Sequence, residues 1–200
     1  MADVIAQKIE ENHKYVEDAL GRIGMRSLYT DFLRDSGFFD APASANHHGN
    51  YPGALASHSI AVANELIRYT KAGLIEWTDE RSPLIVGLLH DMCKVDTYEE
   101  VMDDDDIPEL HMVSAYGEEV MIPKYKYNKN VLYKGHGTAS VLKVAPYIKL
   151  TEEEVACIVY HMGAFTDKED WEYYDRAVSH FPNVLYTHTA DMAASQVLRI

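Results

Sequence analysis

Cysteine is scarce: the 200 residues contain two, Cys93 and Cys157. Two thiols cannot build a disulfide framework, so a reducing cytoplasm is the expected compartment. No stretch approaches the ~20 consecutive apolar residues of a membrane helix, and no membrane partner is expected. The opening residues, MADVIAQKIEENHKYVEDAL, carry charge throughout and lack the apolar run of a signal peptide. Internal repeats and low-complexity linkers are also missing. Basic charge is in short supply, with 18 Lys and Arg against 32 Asp and Glu and a net charge of −14. Proteins that grip long nucleic acid non-specifically present a basic surface, because phosphate neutralisation drives that binding. The balance here favours a small substrate. The acidic run Asp103 to Asp106 reads as a solvated loop.

What is present suits one soluble domain spanning 1–200, with 47% hydrophobic and 25% charged residues. The pattern is mostly helical. Val4, Ile5, Ile9, Val16 and Leu20 set a stripe that predicts an N-terminal helix over 3–20. A short helix is expected over 25–35, then a loop over 38–52, FFDAPASANHHGNYP, with two prolines and a glycine. Gly53 to Ala72 reads as a long helix. Ser82 as N-cap and Pro83 at the first helical position open the next one. It continues through LIVGLLHDMCK, apolar almost all round, and should be central and buried. Residues 95–115 read as an acidic loop, and 116–134 as a β-hairpin. Helices follow over about 136–147 and, opened by the capping box Thr151/Glu154, to about His161. After an acidic connector, Pro182 opens a last helix to about Leu198.

Histidine placement carries the chemistry. His90 and Asp91 end the most hydrophobic segment, where an ionised carboxylate is costly unless paired or bound to a cation. His58, His136, His161 and Asp191 lie in other apolar or small-residue helical segments. Singly, each reads as a satisfied core residue. Together they offer imidazoles and carboxylates from separate helices, as bundles build interior metal sites. Mixed nitrogen and oxygen ligands suit Mn, Fe, Zn, Ni or Co better than calcium.

The ordered set His58, His90-Asp91, His136, His161, Asp191 resembles the HD-domain metal-dependent phosphohydrolase superfamily. His58, His90, Asp91 and Asp191 match its H…HD…D motif. His136 and His161 match the added histidines of two-metal branches such as the cyclic-dinucleotide phosphodiesterases. The resemblance covers about 28–196. It is nearer still to the HD domain of YhaM-type 3′→5′ exoribonucleases, through FFDAPASANHHGNYPGALASHS, LLHDMCKVDTY, KGHGTAS, VYHMGAF and HTADMAAS. Two departures stand out: there is no room for those enzymes' N-terminal OB domain, and Met162 stands where many two-metal relatives carry a second histidine.

The resemblance implies an all-α HD-domain helical bundle with a small β-hairpin insertion near 116–134. It implies hydrolysis of a phosphate ester of a nucleotide, cyclic nucleotide or short oligonucleotide by metal-activated water, with one or two ions of Mn, Fe, Ni, Co, Zn or Mg. His58, His90, Asp91 and Asp191 would hold one ion; His136 and His161, with Asp91 bridging, would hold the other. Lys94 would contact phosphate, though a helix C-terminal lysine serving the dipole fits the same position. His47 and His48 would reach substrate from the loop, and His188, one turn before Asp191, would orient that carboxylate. Cys93 and Cys157 read as packing thiols, since neither has a CxxC partner. Lys124, Lys126, Lys129 and Lys134 interleave with Tyr125, Tyr127 and Tyr133, a pattern that suits single-stranded nucleic acid or a solvent-facing hairpin edge. Three other readings stay open: a 3′→5′ exonuclease on single strands, a metal-stabilised nucleotide-binding regulator, and a di-iron oxygenase.

Overall fold

A computed structural model describes residues 2–47 and 49–199. The described residues are mostly helical, with two small antiparallel sheets of two strands each. In order, the main elements are α1 (Ala2–Arg22), α2 (Arg26–Asp31), α3 (Ala54–Lys71), α4 (Ser82–Leu89), α5 (Lys94–Thr97), β1 (Tyr98–Glu100), β2 (Leu110–Ala115), β3 (Glu118–Pro123), β4 (Tyr125–Tyr127), α6 (His136–Val144), α7 (Glu152–Val159), α8 (Trp171–His180) and α9 (Asn183–Met192). Among the described residues, no helix is long and apolar enough to cross a membrane. They fall into two units interleaved along the chain, one comprising residues up to His58 with Lys94–Leu132, the other Ser59–Cys93 with Tyr133–Arg199.

The first unit packs α1 against the β2–β3 hairpin and the loop before α3. Ile5, Ala43, Tyr51, Ala54, Ala115, Val120 and Ile122 form its apolar cluster, with Ile9 and Val113 against it. Alternation along the strands does the sorting: Ala115, Val120 and Ile122 turn inward while Leu110, Met112 and Met121 face solvent. Tyr116 and Gly117 both take positive φ, the geometry of a two-residue turn that matches strand twist. Asn12 and Ser57, both buried, satisfy one another. Asn12 Nδ2 donates to Ser57 Oγ at 2.9 Å, and Ser57 shares a 2.9 Å hydrogen bond with the Tyr116 hydroxyl. His13 stacks on Phe39 at 3.7 Å between ring centroids.

This unit corrects the strand assignment. EEVMIP is β3, but it pairs with Leu110–Ala115, inside the expected acidic loop, rather than with residues further on. Tyr125–Tyr127 pairs with β1, also from that loop, and 130–134 form no strand. A run with alternating burial, His111-Met112-Val113-Ser114-Ala115, outweighs the acidic stretch before it. Lys124 and Lys126 pair with Glu109 and Glu99 across these strands, at 2.8 and 3.5 Å.

The second unit is built on α4, α6, α7 and α9. The last turns of α3 press on α4 at Gly87, where a Cβ would fall 2.3 Å from Ala63 Cα; only glycine permits that approach. The first turn of α7 ties its neighbours. Thr151 and Glu154 form the expected capping box. Glu154 also accepts a 2.9 Å hydrogen bond from Ser82 Oγ, at the start of α4. Glu153 accepts from Asn183 Nδ2, at the start of α9, and from the Thr78 N–H, at 2.7 and 3.1 Å. Both glutamates are buried, so these bonds offset the cost of taking charge out of water.

Three sequence expectations change in this unit. Ser82 does not cap α4 with its side chain; its hydroxyl is spent on Glu154. The hydrophobic helix stops at Leu89, with His90 as its C-cap, so His90 to Cys93 form a turn rather than further helix. The acidic connector contains α8, a helix with no buried residue, and α9 passes into a π-helical turn at Ala193–Leu198.

Candidate metal centre

The four helices of the second unit bring five of the expected residues to one place. His90 and Asp91 stand just past the end of α4, His136 opens α6, His161 follows α7, and Asp191 sits in the last turn of α9. His90, Asp91 and His161 are almost fully buried, Asp191 is 17% exposed and His136 is 40% exposed. The cluster is therefore closed on the His90 side and open at His136.

The two buried imidazoles are oriented in the same way. His90 Nδ1 donates to the Gly87 carbonyl at 2.9 Å, and His161 Nδ1 donates to the Ile158 carbonyl at 2.7 Å. Each bond fixes the ring and leaves Nε2 aimed into the cluster. His90 Nε2 lies 3.5 Å from Asp91 Oδ2 and 4.0 Å from Asp191 Oδ1. His161 Nε2 lies 3.5 Å from Asp91 Oδ1, and His136 Nδ1 lies 4.0 Å from that same oxygen. Asp91 thus serves both sides with its two oxygens. The rings of His90 and His161 meet edge to face, 4.9 Å between centroids.

A neutral imidazole held through Nδ1–H presents a lone pair at Nε2. Here such lone pairs face carboxylate oxygens, an arrangement that calls for positive charge between them. The His161 pKa reports the same pull: burial works to lower it, yet the Asp91 and Asp191 carboxylates outweigh burial and raise it. A proton or a metal cation satisfies the demand. Ligand atoms of His90, Asp91 and His161 all lie within 4.8 Å of one another, as do those of Asp91, Cys93 and His136. The first set offers nitrogen and oxygen donors, which suit Mn, Fe, Co, Ni or Zn, and the second adds a sulfur.

Small residues and outer hydrogen bonds hold the spacing. A Cβ on Gly137 would stand 2.3 Å from the carbonyls of both Ile158 and Val159, so glycine lets α6 close on the end of α7. That contact sets His136 against His161. Gly163 takes positive φ, and a Cβ there would meet the His188 ring at 2.3 Å. His188 Nδ1 donates to the His161 carbonyl at 2.9 Å, so its bond supports that ligand's backbone.

The other expected residues belong to the first unit or fall outside the described residues. His58 is buried on α3 and closes the first stretch of the first unit; Lys94, half-buried, opens α5 and that unit's second stretch. His47 is exposed in the loop before α3, where its N–H donates to Ser44 Oγ at 2.9 Å. His48 lies outside the described residues. Cys93 is the residue that sequence reasoning left in the core. It is buried, and its Sγ is 3.6 Å from His136 Nδ1. The available signal was its place two residues after Asp91. Cys157 is a packing thiol, and burial pushes it up to about 12. No family model, curated protein or solved structure matches the chain.

Proposed function

We propose that the chain is a divalent-metal-dependent phosphohydrolase of the HD-domain superfamily, acting on a phosphate ester of a nucleotide, cyclic nucleotide or short oligonucleotide. The observation that carries this reading is the division of Asp91 between His90 on one oxygen and His161 on the other, at 3.5 Å each. A carboxylate so placed can bridge two cations, and the residues supplying it fall in the order of the family motif. The resemblance adds His58 to the ligand set and Lys94 as a phosphate contact.

A bound divalent cation would lower the pKa of a water and polarise a phosphoryl oxygen. The chain's own residues then have separable tasks. His90, His161, Asp91 and Asp191 hold position, each histidine locked by its backbone bond. The open His136 side admits a small anionic ester into a chain that otherwise carries −14. On the resemblance, Lys94 would offset phosphate charge. The acidic surface and the pairing of Lys124 and Lys126 with glutamates favour a small substrate over a long single strand.

The test is a panel of nucleotides, cyclic dinucleotides and labelled single-stranded oligomers, assayed with Mn, Mg, Ni and Fe beside Asp91→Ala. Metal-dependent release of phosphate or mononucleotide, lost in the variant, is expected. Stepwise shortening of the oligomer would make the enzyme an exonuclease. Cation binding with no turnover on any substrate would leave a regulator instead, and equal, metal-independent turnover by both proteins would end the reading.

A further inference from the structure

The thiol of Cys93 has no task in the reaction outlined above, yet it stands inside the ligand cluster. We propose, resting on that reading, that Cys93 is a thiolate ligand. The cation position lined by Asp91, Cys93 and His136 is then a sulfur–nitrogen–oxygen site selective for zinc or cobalt over magnesium and manganese.

The Cys93–His136 spacing fits coordination as it stands. Zinc bonds to sulfur at about 2.3 Å and to nitrogen at about 2.0 Å, so at a tetrahedral angle the two donors stand about 3.5 Å apart. Cys93 Sγ and His136 Nδ1 are 3.6 Å apart. Asp91 Oδ1, 4.0 Å from the same nitrogen, would close to about 3.3 Å on an ion. The three ligand atoms lie within 4.8 Å of one another. One imidazole nitrogen facing both a sulfur and a carboxylate oxygen is better served by a cation among the three than by a hydrogen bond to either.

The thiol is held there by the helix that supplies its neighbour. The Cys93 N–H donates to the buried Ser140 Oγ at 3.0 Å, and Ser140 lies one turn along α6 from His136. Cys93 and His136 are therefore braced on a common element before any ion arrives. With His136 40% exposed, three protein donors leave one side open to water or substrate, the arrangement of a working zinc site rather than a sealed structural one. Soft sulfur sets the preference: thiolates favour zinc and cobalt, whereas magnesium demands oxygen. Binding would release the thiol proton to solvent.

The test titrates the metal-free full-length protein with cobalt, then zinc. Wild type and Cys157→Ser should both show a thiolate-to-cobalt charge-transfer band in the near ultraviolet, and Cys93→Ser should lack it. Cys93→Ser should still bind cobalt at the remaining ligands, while its zinc affinity at this position falls by about 100-fold or more, beyond the loss of an outer-shell partner. The wild-type spectrum needs no variant to fold, so absence of the band there decides against sulfur by itself, and its persistence in Cys157→Ser assigns it to Cys93. Cobalt bound without that band, or a band that follows Cys157, would overturn the sulfur ligand and leave the metal centre standing. No cation bound by wild type would overturn both.

Discussion

The two units treat a histidine packed against their interior in opposite ways. In the first, His13 is capped by a ring and a hydroxyl: Phe39 stacks on it and the Tyr29 hydroxyl lies 3.2 Å from Nδ1. Burial lowers its pKa, with Asp40 and Asp35 only partly opposing. In the second, the carboxylates of Asp91 and Asp191 outweigh burial and raise the His161 pKa. Residue type is shared, and His13 is partly buried where His161 is fully so; the difference is that carboxylates face the ring of His161 and a ring and a hydroxyl face that of His13. His13 packs against an aromatic cluster, whereas His161 and His90 each turn Nε2 toward a carboxylate. A histidine becomes a ligand candidate when a backbone carbonyl takes one nitrogen and carboxylates face the other.

The contrast can be broken most sharply at Asp91. Asp91→Ala removes both oxygens that the two sides share, and metal affinity should fall by at least about 100-fold, more than loss of an outer-shell partner costs. Isothermal titration with manganese or zinc measures this, and a variant that still binds as wild type would place the ions elsewhere. Gly137→Ala comes next. Alanine ordinarily stabilises a helix interior relative to glycine. Here its methyl group would strike two carbonyls at 2.3 Å, so a loss of about 1–3 kcal/mol is expected in thermal or urea melts, with weaker metal binding.

The histidines themselves should give opposite pH slopes in the metal-free protein. A histidine whose folded pKa lies below 6.5, as for His13, favours folding above that pH and loses the contribution as pH falls through its folded value. His161, shifted upward, contributes fully below 6.5 and loses that contribution as pH rises through its folded value. Melting curves of His13→Gln and His161→Gln should therefore depart from wild type with opposite trends across this range; parallel trends would dissolve the contrast. The smallest effect belongs to Gly117→Asn in the first unit. No atom lies within 4 Å of its missing Cβ, and asparagine tolerates positive φ, so the change should stay within about 0.5 kcal/mol.

Much of this was legible in the residues because it depended on local chemistry. Thr151 and Glu154 announce a capping box, and the box is there. The periodicity of α1 and α3 likewise reads from spacing alone, to within a few residues. The hairpin was displaced because its turn is Tyr116-Gly117, which lacks the Asn or Asp that signals such turns. Helix α8 was missed although Trp171, Tyr174 and Val178 recur at helical spacing, because its acidic residues were read as a connector. Six ligand candidates could be named because each sat oddly in an apolar or small-residue segment. Cys93 could not: a cysteine looks at home in a core, and its distance from His136, 43 residues on, is a tertiary fact.

Helix α7 also acts as a rigid spacer. Its eight residues make a rod about 12 Å long, with Glu153 and Glu154 fastened at one end and His161 just beyond the other. Shortening or loosening the carboxylate end would slide an imidazole it never touches. The affinity of the cluster is thus tunable from a distance, through changes that leave every ligand in the sequence intact.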